Sequence, residues 1–178
     1  MVFPEVLETD RLTLRRPRAS DAGPINLYAG DIRVAELLES VPHPYPPGAA
    51  EAYINTCLKP DAAEHVWVMD AQKIDGPEFI GVIGVRRNVD IPRLGYWVGP
   101  PFWNTGYASE AAKAVVGTVH ASGAPAFDAR VVSANEASAH VLANAGFKEV
   151  GKGEFYGVAA GKMLEHRLFS LVFEHATA

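Results

Sequence analysis

Residues 96–111 read Tyr-Trp-Val-Gly-Pro-Pro-Phe-Trp-Asn-Thr-Gly-Tyr-Ala-Ser-Glu-Ala. They predict the end of a strand, a loop braced by prolines and a helix that starts at Gly106. Residues at every fourth position then form the buried face of that helix, namely Tyr107, Ala111, Val115 and Val119. The unpaired N–H groups of a helix start favour an anion, and a glycine lets a phosphate approach the backbone. No Lys or Arg lies between Arg93 and Lys113, so backbone donors would have to hold such an anion.

A second informative stretch follows at residues 127–147. The segment Phe127–Val132 predicts a strand, and Asn135 predicts the N-cap of a helix that runs through Ala145. Ser138 lies three residues after the cap, where it can support the helix start, and Gly146 ends the helix. Taken alone, this pattern is typical of an ordinary capped helix.

The remaining elements complete a mixed architecture. Alternating or β-rich runs predict strands over 11–16, 65–69, 78–86, 93–98, 147–150 and 163–173, and helices are expected after Ser20-Asp21, over 34–39 and over 48–58. Asp75-Gly76-Pro77 predicts the turn of a hairpin. Antiparallel strands followed by strand–helix–strand indicate an α+β fold with a central sheet of about seven strands, forming one domain over residues 1–178.

Composition excludes several classes of function. The 178 residues carry a formal net charge of −5, which argues against nucleic acid as the main partner and slightly favours a cationic one. No apolar run reaches the length of a membrane span and no signal peptide is evident, so we expect a cytoplasmic protein. Cys57 is the single cysteine and no two histidines have metal-ligand spacing, so we expect no metal.

The two motifs together resemble the GNAT superfamily of N-acyltransferases. They read Trp-x-x-Gly-Tyr-Ala-x-Glu-Ala from Trp103 and Asn-x-x-Ser-x-x-Val-Leu-x-x-x-Gly-Phe from Asn135, in the order found in the family. The opening Glu8-Thr9-Asp10-Arg11-Leu12-Thr13-Leu14-Arg15 resembles the branch of ribosomal-protein N-terminal (alanine) acetyltransferases. The resemblance implies that acetyl-coenzyme A lies in a V-shaped splay between two parallel strands, here Arg93–Val98 and Phe127–Val132.

The resemblance also implies a set of cofactor-binding residues. The pyrophosphate would meet the loop and helix start, Asn135 would contact the pantetheine arm, and Ser138 would lie near the thiol. Thr105 stands where the branch often has a basic residue, which removes one charge partner for phosphate. Glu110 is expected to have a modest structural role at the helix start. The complete predicted set is Trp97, Val98, Trp103, Asn104, Thr105, Gly106, Tyr107, Ala108, Asn135 and Ser138.

The implied reaction is direct attack of an amine on the thioester of acetyl-coenzyme A in a ternary complex. The N–H near Val98 is the expected donor to the thioester carbonyl. Ser138 and Tyr156 are candidates to protonate the leaving thiolate, and Glu154 is a candidate base. The acceptor is expected to be a peptide N-terminus or a small amine, and the protein a monomer or homodimer.

Two other functions are alternatives to acetyl transfer. A non-catalytic GNAT-fold module would bind coenzyme A or a regulatory ligand without turnover, and only an activity measurement separates it from an enzyme. A dinucleotide-binding Rossmann domain is excluded, because no Gly-x-Gly-x-x-Gly follows the first strand.

Overall fold

A computed structural model describes residues 1–174 of the chain. One sheet of eight strands forms its centre. The strands are β1 Val6–Glu8, β2 Thr13–Arg15, β3 Glu64–Asp70, β4 Gly81–Arg86, β5 Arg93–Val98, β6 Ala126–Val132, β7 Lys148–Gly157 and β8 Lys162–Val172. Their order in the sheet is β1-β2-β3-β4-β5-β6-β8-β7. The helices are α1 Ala22–Ala29, α2 Ile32–Ala35, α3 Ala49–Cys57, α4 Tyr107–Ala121 and α5 Glu136–Asn144.

The predicted splay is confirmed at the centre of the sheet. All neighbouring strands pair antiparallel except β5 and β6, which are parallel. Their pairing covers two positions, Arg93 with Asp128 and Leu94 with Ala129. Beyond Leu94 the two strands separate, so four residues of β5 present a free backbone edge.

Helices cover both faces of the sheet, and each face has its own hydrophobic core. On one face α4 and α5 pack through Ala111, Val115 and Leu142 against strand residues such as Phe127. On the other face α1 and α3 pack through Ile25 and Ile54. The opening between β5 and β6 therefore lies between two packed layers and connects one face of the sheet with the other.

The structure corrects several predicted boundaries. It adds β1, a three-residue strand that is too short to show alternation, and brings the count from about seven strands to eight. The strand predicted over 147–150 extends to Gly157, because a register shift between Glu149 and Gly151 carries it past the glycines. The strand predicted over 78–86 begins only at Gly81.

Asp21 is the N-cap residue of the helix expected after Ser20-Asp21, but its side chain makes no cap hydrogen bond to that helix. Its carboxylate accepts hydrogen bonds from both terminal nitrogens of Arg15, each at 2.9 Å, and from the Arg18 N–H. Arg15 is 4% exposed and also donates to Asp70 on β3. The pair of carboxylates neutralises a guanidinium that would otherwise be buried alone.

Two further observations concern membranes and domains. Across residues 1–174, no helix combines the length and the apolarity needed to cross a bilayer. The predicted domain included residues 175–178, which lie outside the described part of the chain.

Candidate active site

A cavity of about 890 Å³ occupies the opening between β5 and β6. On the side of α4 and α5 it is lined by residues 102–109 and by the first turns of α5. On the opposite side it is lined by residues of α2 and the segment after it, together with Arg130, Val132 and Phe155. All ten residues predicted to bind the cofactor line this cavity, although their role as ligands stays a prediction.

The start of α4 is shaped to receive an anion. Gly106 is the N-cap with φ of +82°, and Asn104 before it also has positive φ, at +60°. Glu110 N–H is the first to donate to the helix, bonding to Gly106 O at 3.1 Å. The N–H groups of residues 107–109 therefore have no acceptor within the helix, and the positive end of the helix dipole adds to their field.

A cation from the N-terminal segment lies at this helix start. Arg11 Nη1 donates to Thr105 O at 2.9 Å, and Arg11 Nη2 lies 3.3 Å from the position that a Cβ on Gly106 would occupy. The sequence offered no basic residue between Arg93 and Lys113, and the tertiary structure supplies one. Arg11 reaches the helix start through contacts between distant parts of the chain, so the motif at residues 103–111 alone could not predict it.

Glu110 holds this arginine in place. Its carboxylate accepts from Arg11 Nε at 2.6 Å, from Arg11 N–H at 2.7 Å and from Thr9 Oγ1 at 2.7 Å. Burial alone would raise the pKa of Glu110, but these hydrogen bonds outweigh it and lower the pKa below its usual value. Glu110 thus ties the segment before β2 to α4, a larger role than the helix-start charge expected from sequence.

The free edge of β5 supplies backbone donors to the cavity. Gly99 N–H donates to Ile80 O at 2.9 Å, on the side of β4. Because N–H directions alternate along a strand, the N–H groups of Tyr96 and Val98 point the other way, into the splay. Trp103 Nε1 donates to Val98 O at 2.8 Å and so fixes the loop against the end of β5.

Asn135 and Ser138 lie across the splay from this edge. Asn135 is the N-cap of α5, as predicted, and its Oδ1 accepts from the Ser138 N–H at 3.1 Å. The Ser138 carbonyl in turn accepts from the Tyr96 hydroxyl at 3.0 Å. Burial raises the pKa of Tyr96, so the phenol stays protonated and remains a donor. The cap and the tyrosine together position Ser138 at the cavity wall.

Glu154 and Tyr156 are not brought to the cavity. They flank Phe155 on β7, and Phe155 is the residue that lines the cavity. Because side chains alternate along a strand, the neighbours of Phe155 lie on the opposite face, where Tyr156 is 57% exposed. Their predicted catalytic roles stay predictions that this placement does not favour.

A bound metal ion and a cysteine nucleophile are two other groups that could support catalysis. Among residues 1–174, no three His, Cys, Asp or Glu side chains come close enough together to hold a metal ion. Cys57 is buried in the core beneath α3, and burial raises the pKa of its thiol. The thiolate that covalent catalysis needs is therefore disfavoured at this position.

Comparisons with known proteins agree with this geometry. A model of the acetyltransferase (GNAT) domain matches residues 11–148. The uncharacterized N-acetyltransferase YoaA of Bacillus subtilis (strain 168) is 30% identical over 182 residues, covering 96% of this chain and 98% of YoaA.

Solved structures share the fold at low sequence identity. The microcin C7 self-immunity acetyltransferase MccE, in complex with acetyl-CoA and AMP, has a TM-score of 0.79 at 16% identity over 92% of this chain and 93% of its own. A ribosomal-protein-S5-alanine acetyltransferase from Vibrio fischeri has a TM-score of 0.76 at 19% identity, covering 97% of this chain and 99% of its own. The splayed strands, the helix start beside them and the domain match lead to one conclusion: the chain belongs to the GNAT family of acetyltransferases.

Proposed function

We propose that this protein transfers the acetyl group of acetyl-coenzyme A to a primary amine by direct attack in a ternary complex. The observation that carries the proposal is a continuous cavity that passes through the sheet between β5 and β6. It joins a helix start with free N–H donors on one face to a chamber on the other. Two substrates can therefore approach from opposite faces and meet at the free edge of β5.

The residues on the α4 side fit coenzyme A. The N–H groups of residues 107–109 would hold the pyrophosphate, where Gly106 leaves room and Arg11 adds charge. Asn135 and the free edge of β5 would bind the pantetheine arm. The thioester supplies an activated acyl group, and the Val98 N–H would stabilise the negative charge that develops on the thioester oxygen.

Ser138 is the proposed proton donor to the departing thiolate as the C–S bond breaks, and its hydroxyl is restored by the proton that the attacking amine loses as the amide forms. It lines the cavity, and the Asn135 cap and the Tyr96 hydrogen bond fix its backbone without occupying its hydroxyl. Glu154 and Tyr156 lie outside the cavity lining, so we propose no direct proton transfer by either. The acceptor is an α-amino group of a peptide or a small amine, and the attacking form must be neutral.

Two measurements test the proposal in sequence. Acetyl-coenzyme A at a hundredfold excess over its Kd should add about 2.7 kcal/mol to the free energy of unfolding, which a thermal shift reports. Release of free thiol should then depend on an added amine. Binding without thiol release across peptides, polyamines and aminoglycosides would contradict the proposal and leave a non-catalytic module. Release stimulated only by hydroxyl acceptors would contradict N-acetylation.

A further inference from the structure

The half of the cavity on the α2 side has a defined set of charges. We call it the acceptor chamber; its walls are Leu37, Leu38, Glu39, Trp97, Arg130, Val132 and Phe155. Most of these side chains are apolar, and the charged ones are Glu39 and Arg130. Neither forms an ion pair with any partner within residues 1–174. Arg33 lines the same cavity but is held by two bonds to Asp31.

Two further basic side chains, His166 and Arg93, lie on the strands that neighbour β6. Arg130 and Val132 share one face of β6, and His166 on β8 is the register partner of Val132. His166 is 4% exposed, and its Nδ1 has no hydrogen-bond partner within the described chain. The buried Nε of Arg93 on β5 likewise has none.

Charged side chains of both signs act on His166 and Arg93. Burial lowers the pKa of His166, Arg130 lowers it further, and Glu39 opposes them. Burial and Arg130 also lower the pKa of Arg93, which Asp128 and Glu39 partly offset. Glu39 and Arg130 both line the chamber, so it offers one anionic and one cationic contact.

We infer that the acceptor amine carries an oxyanion group, a carboxylate or a phosphate, which Arg130 binds while Glu39 faces the amine. This inference rests on the proposed function and names the acceptor class. A guanidinium presents two parallel N–H donors to such a group, and its unpaired state at the cavity wall leaves both available. The net charge of −5 slightly favoured a cationic partner, but the chamber itself places the unpaired cation Arg130 at the wall where such a partner would bind.

Matched acceptors test the inference directly. The C-terminally amidated dipeptides Asp-Phe-NH2 and Asn-Phe-NH2 have the same free amine and nearly the same shape, and phosphoserine-Phe-NH2 and Ser-Phe-NH2 form a second pair. Amidation removes the terminal carboxylate, so only the side chain of one member of each pair carries an oxyanion group. We expect kcat/KM to be about tenfold higher or more for the anionic member of at least one pair, and spermidine to be the poorest acceptor. The pair that shows the difference identifies carboxylate or phosphate as the preferred group.

Variants locate the effect at Arg130. Arg130→Gln should remove the difference within each pair, and Arg130→Lys should keep part of it. Arg86→Gln is the control, since Arg86 is paired with Glu64 and lies outside the cavity lining. Equal rates within both pairs for the wild-type protein, or an undiminished difference in Arg130→Gln, would overturn the inference. In either case acetylation of neutral dipeptides would leave the proposed function standing.

A binding measurement gives a readout apart from turnover. N-acetyl-Asp-Phe-NH2, the product of the expected reaction, should bind the wild-type protein more tightly than N-acetyl-Asn-Phe-NH2 in calorimetry, and Arg130→Gln should equalise the two. An anion beside Arg130 should also raise the pKa of His166, which a titration of its ring protons by NMR reports. Equal binding of both products to the wild-type protein would overturn the inference.

Discussion

The two halves of the cavity are built in different ways. The half at α4 relies on backbone groups, namely N–H donors of the helix start and of β5, and most of it comes from residues 96–108. The acceptor chamber relies on side chains from the segment after α2 and from strands β5, β6 and β7. These parts of the chain meet only when it is folded. A backbone site binds any ligand with the right phosphate geometry, whereas a side-chain site changes its preference with each substitution.

This difference explains how one fold serves a constant donor and variable acceptors. The donor half depends on backbone φ angles and on strand separation, so outside positions of positive φ such as Gly106 it depends little on which side chains are present. The acceptor half depends on which charges and rings project from neighbouring strands. Substitutions in the two halves should therefore separate in kinetics, the first acting on donor affinity and the second on acceptor preference.

The largest expected effect is on the donor half. Gly106→Val places a β-branched side chain at φ of +82° and fills the space in front of the helix N–H groups. We expect acetyl-coenzyme A binding to fall below detection at millimolar concentration in calorimetry. Circular dichroism should show the sheet and helices retained.

The matched control lies in the same helix. Gly117 has ordinary φ and no atom near an added Cβ, so Gly117→Val makes the same change without facing the cavity. It should leave affinity unchanged. If Gly106→Val binds the cofactor as well as Gly117→Val does, the helix start is not the phosphate site.

The same contrast between backbone groups and side chains determines how much of the site the sequence could predict. Contiguous signals predicted the Gly106 turn and the Asn135 cap, because each depends on local backbone preferences. The splay was expected only from the resemblance to the GNAT superfamily. The contact of Arg11 with Glu110 spans 99 positions, and no local pattern encodes it. Phe155 was missed for a related reason: a register shift between Glu149 and Gly151 sets which side chains of β7 face the cavity.

The next largest effect is expected on kcat, at Ser138, where the two halves of the cavity meet. Ser138→Ala should lower kcat by ~10²–10⁴-fold while acetyl-coenzyme A still binds, because it removes the proposed proton donor. The Asn135 cap should survive, since it uses the backbone N–H of residue 138. Single-turnover thiol release measures the loss.

Tyr156→Phe provides the comparison, because that hydroxyl lies outside the cavity lining. It should keep the wild-type rate. Near-normal rates in both variants would make solvent the proton source, and a loss confined to Tyr156→Phe would restore the catalytic role predicted from sequence.

A smaller effect is expected where the donor half is anchored. Glu110→Gln keeps the side-chain shape but weakens three hydrogen bonds, and it should lower the free energy of unfolding by about 1–3 kcal/mol at pH 7. The pKa of Glu110 is lowered in the folded state, so its stabilisation is present above the pKa of the unfolded carboxyl. It is lost as the pH falls through the lower folded value.

Denaturant unfolding at several pH values tests this predicted direction of the pH dependence. The difference between wild type and Glu110→Gln should shrink from pH 7 towards pH 3. Glu64→Gln, in an exposed pair with Arg86, should give a much smaller difference at neutral pH. A gap of constant size across this range would mean that packing, and not the charge of Glu110, holds the segment before β2.

The smallest expected effect is confined to the acceptor half. Phe155 lines the chamber and its ring lies 5.3 Å from that of His166, so Phe155→Ala removes a wall without touching the helix start. We expect the acceptor KM to rise by about three- to tenfold while the Kd of acetyl-coenzyme A stays unchanged. Tyr156→Ala, one residue further along β7, should alter neither constant. An equal loss of donor and acceptor affinity in Phe155→Ala would mean that the two halves of the cavity are one coupled site, and the separation between a backbone-built donor half and a side-chain-built acceptor half would fail.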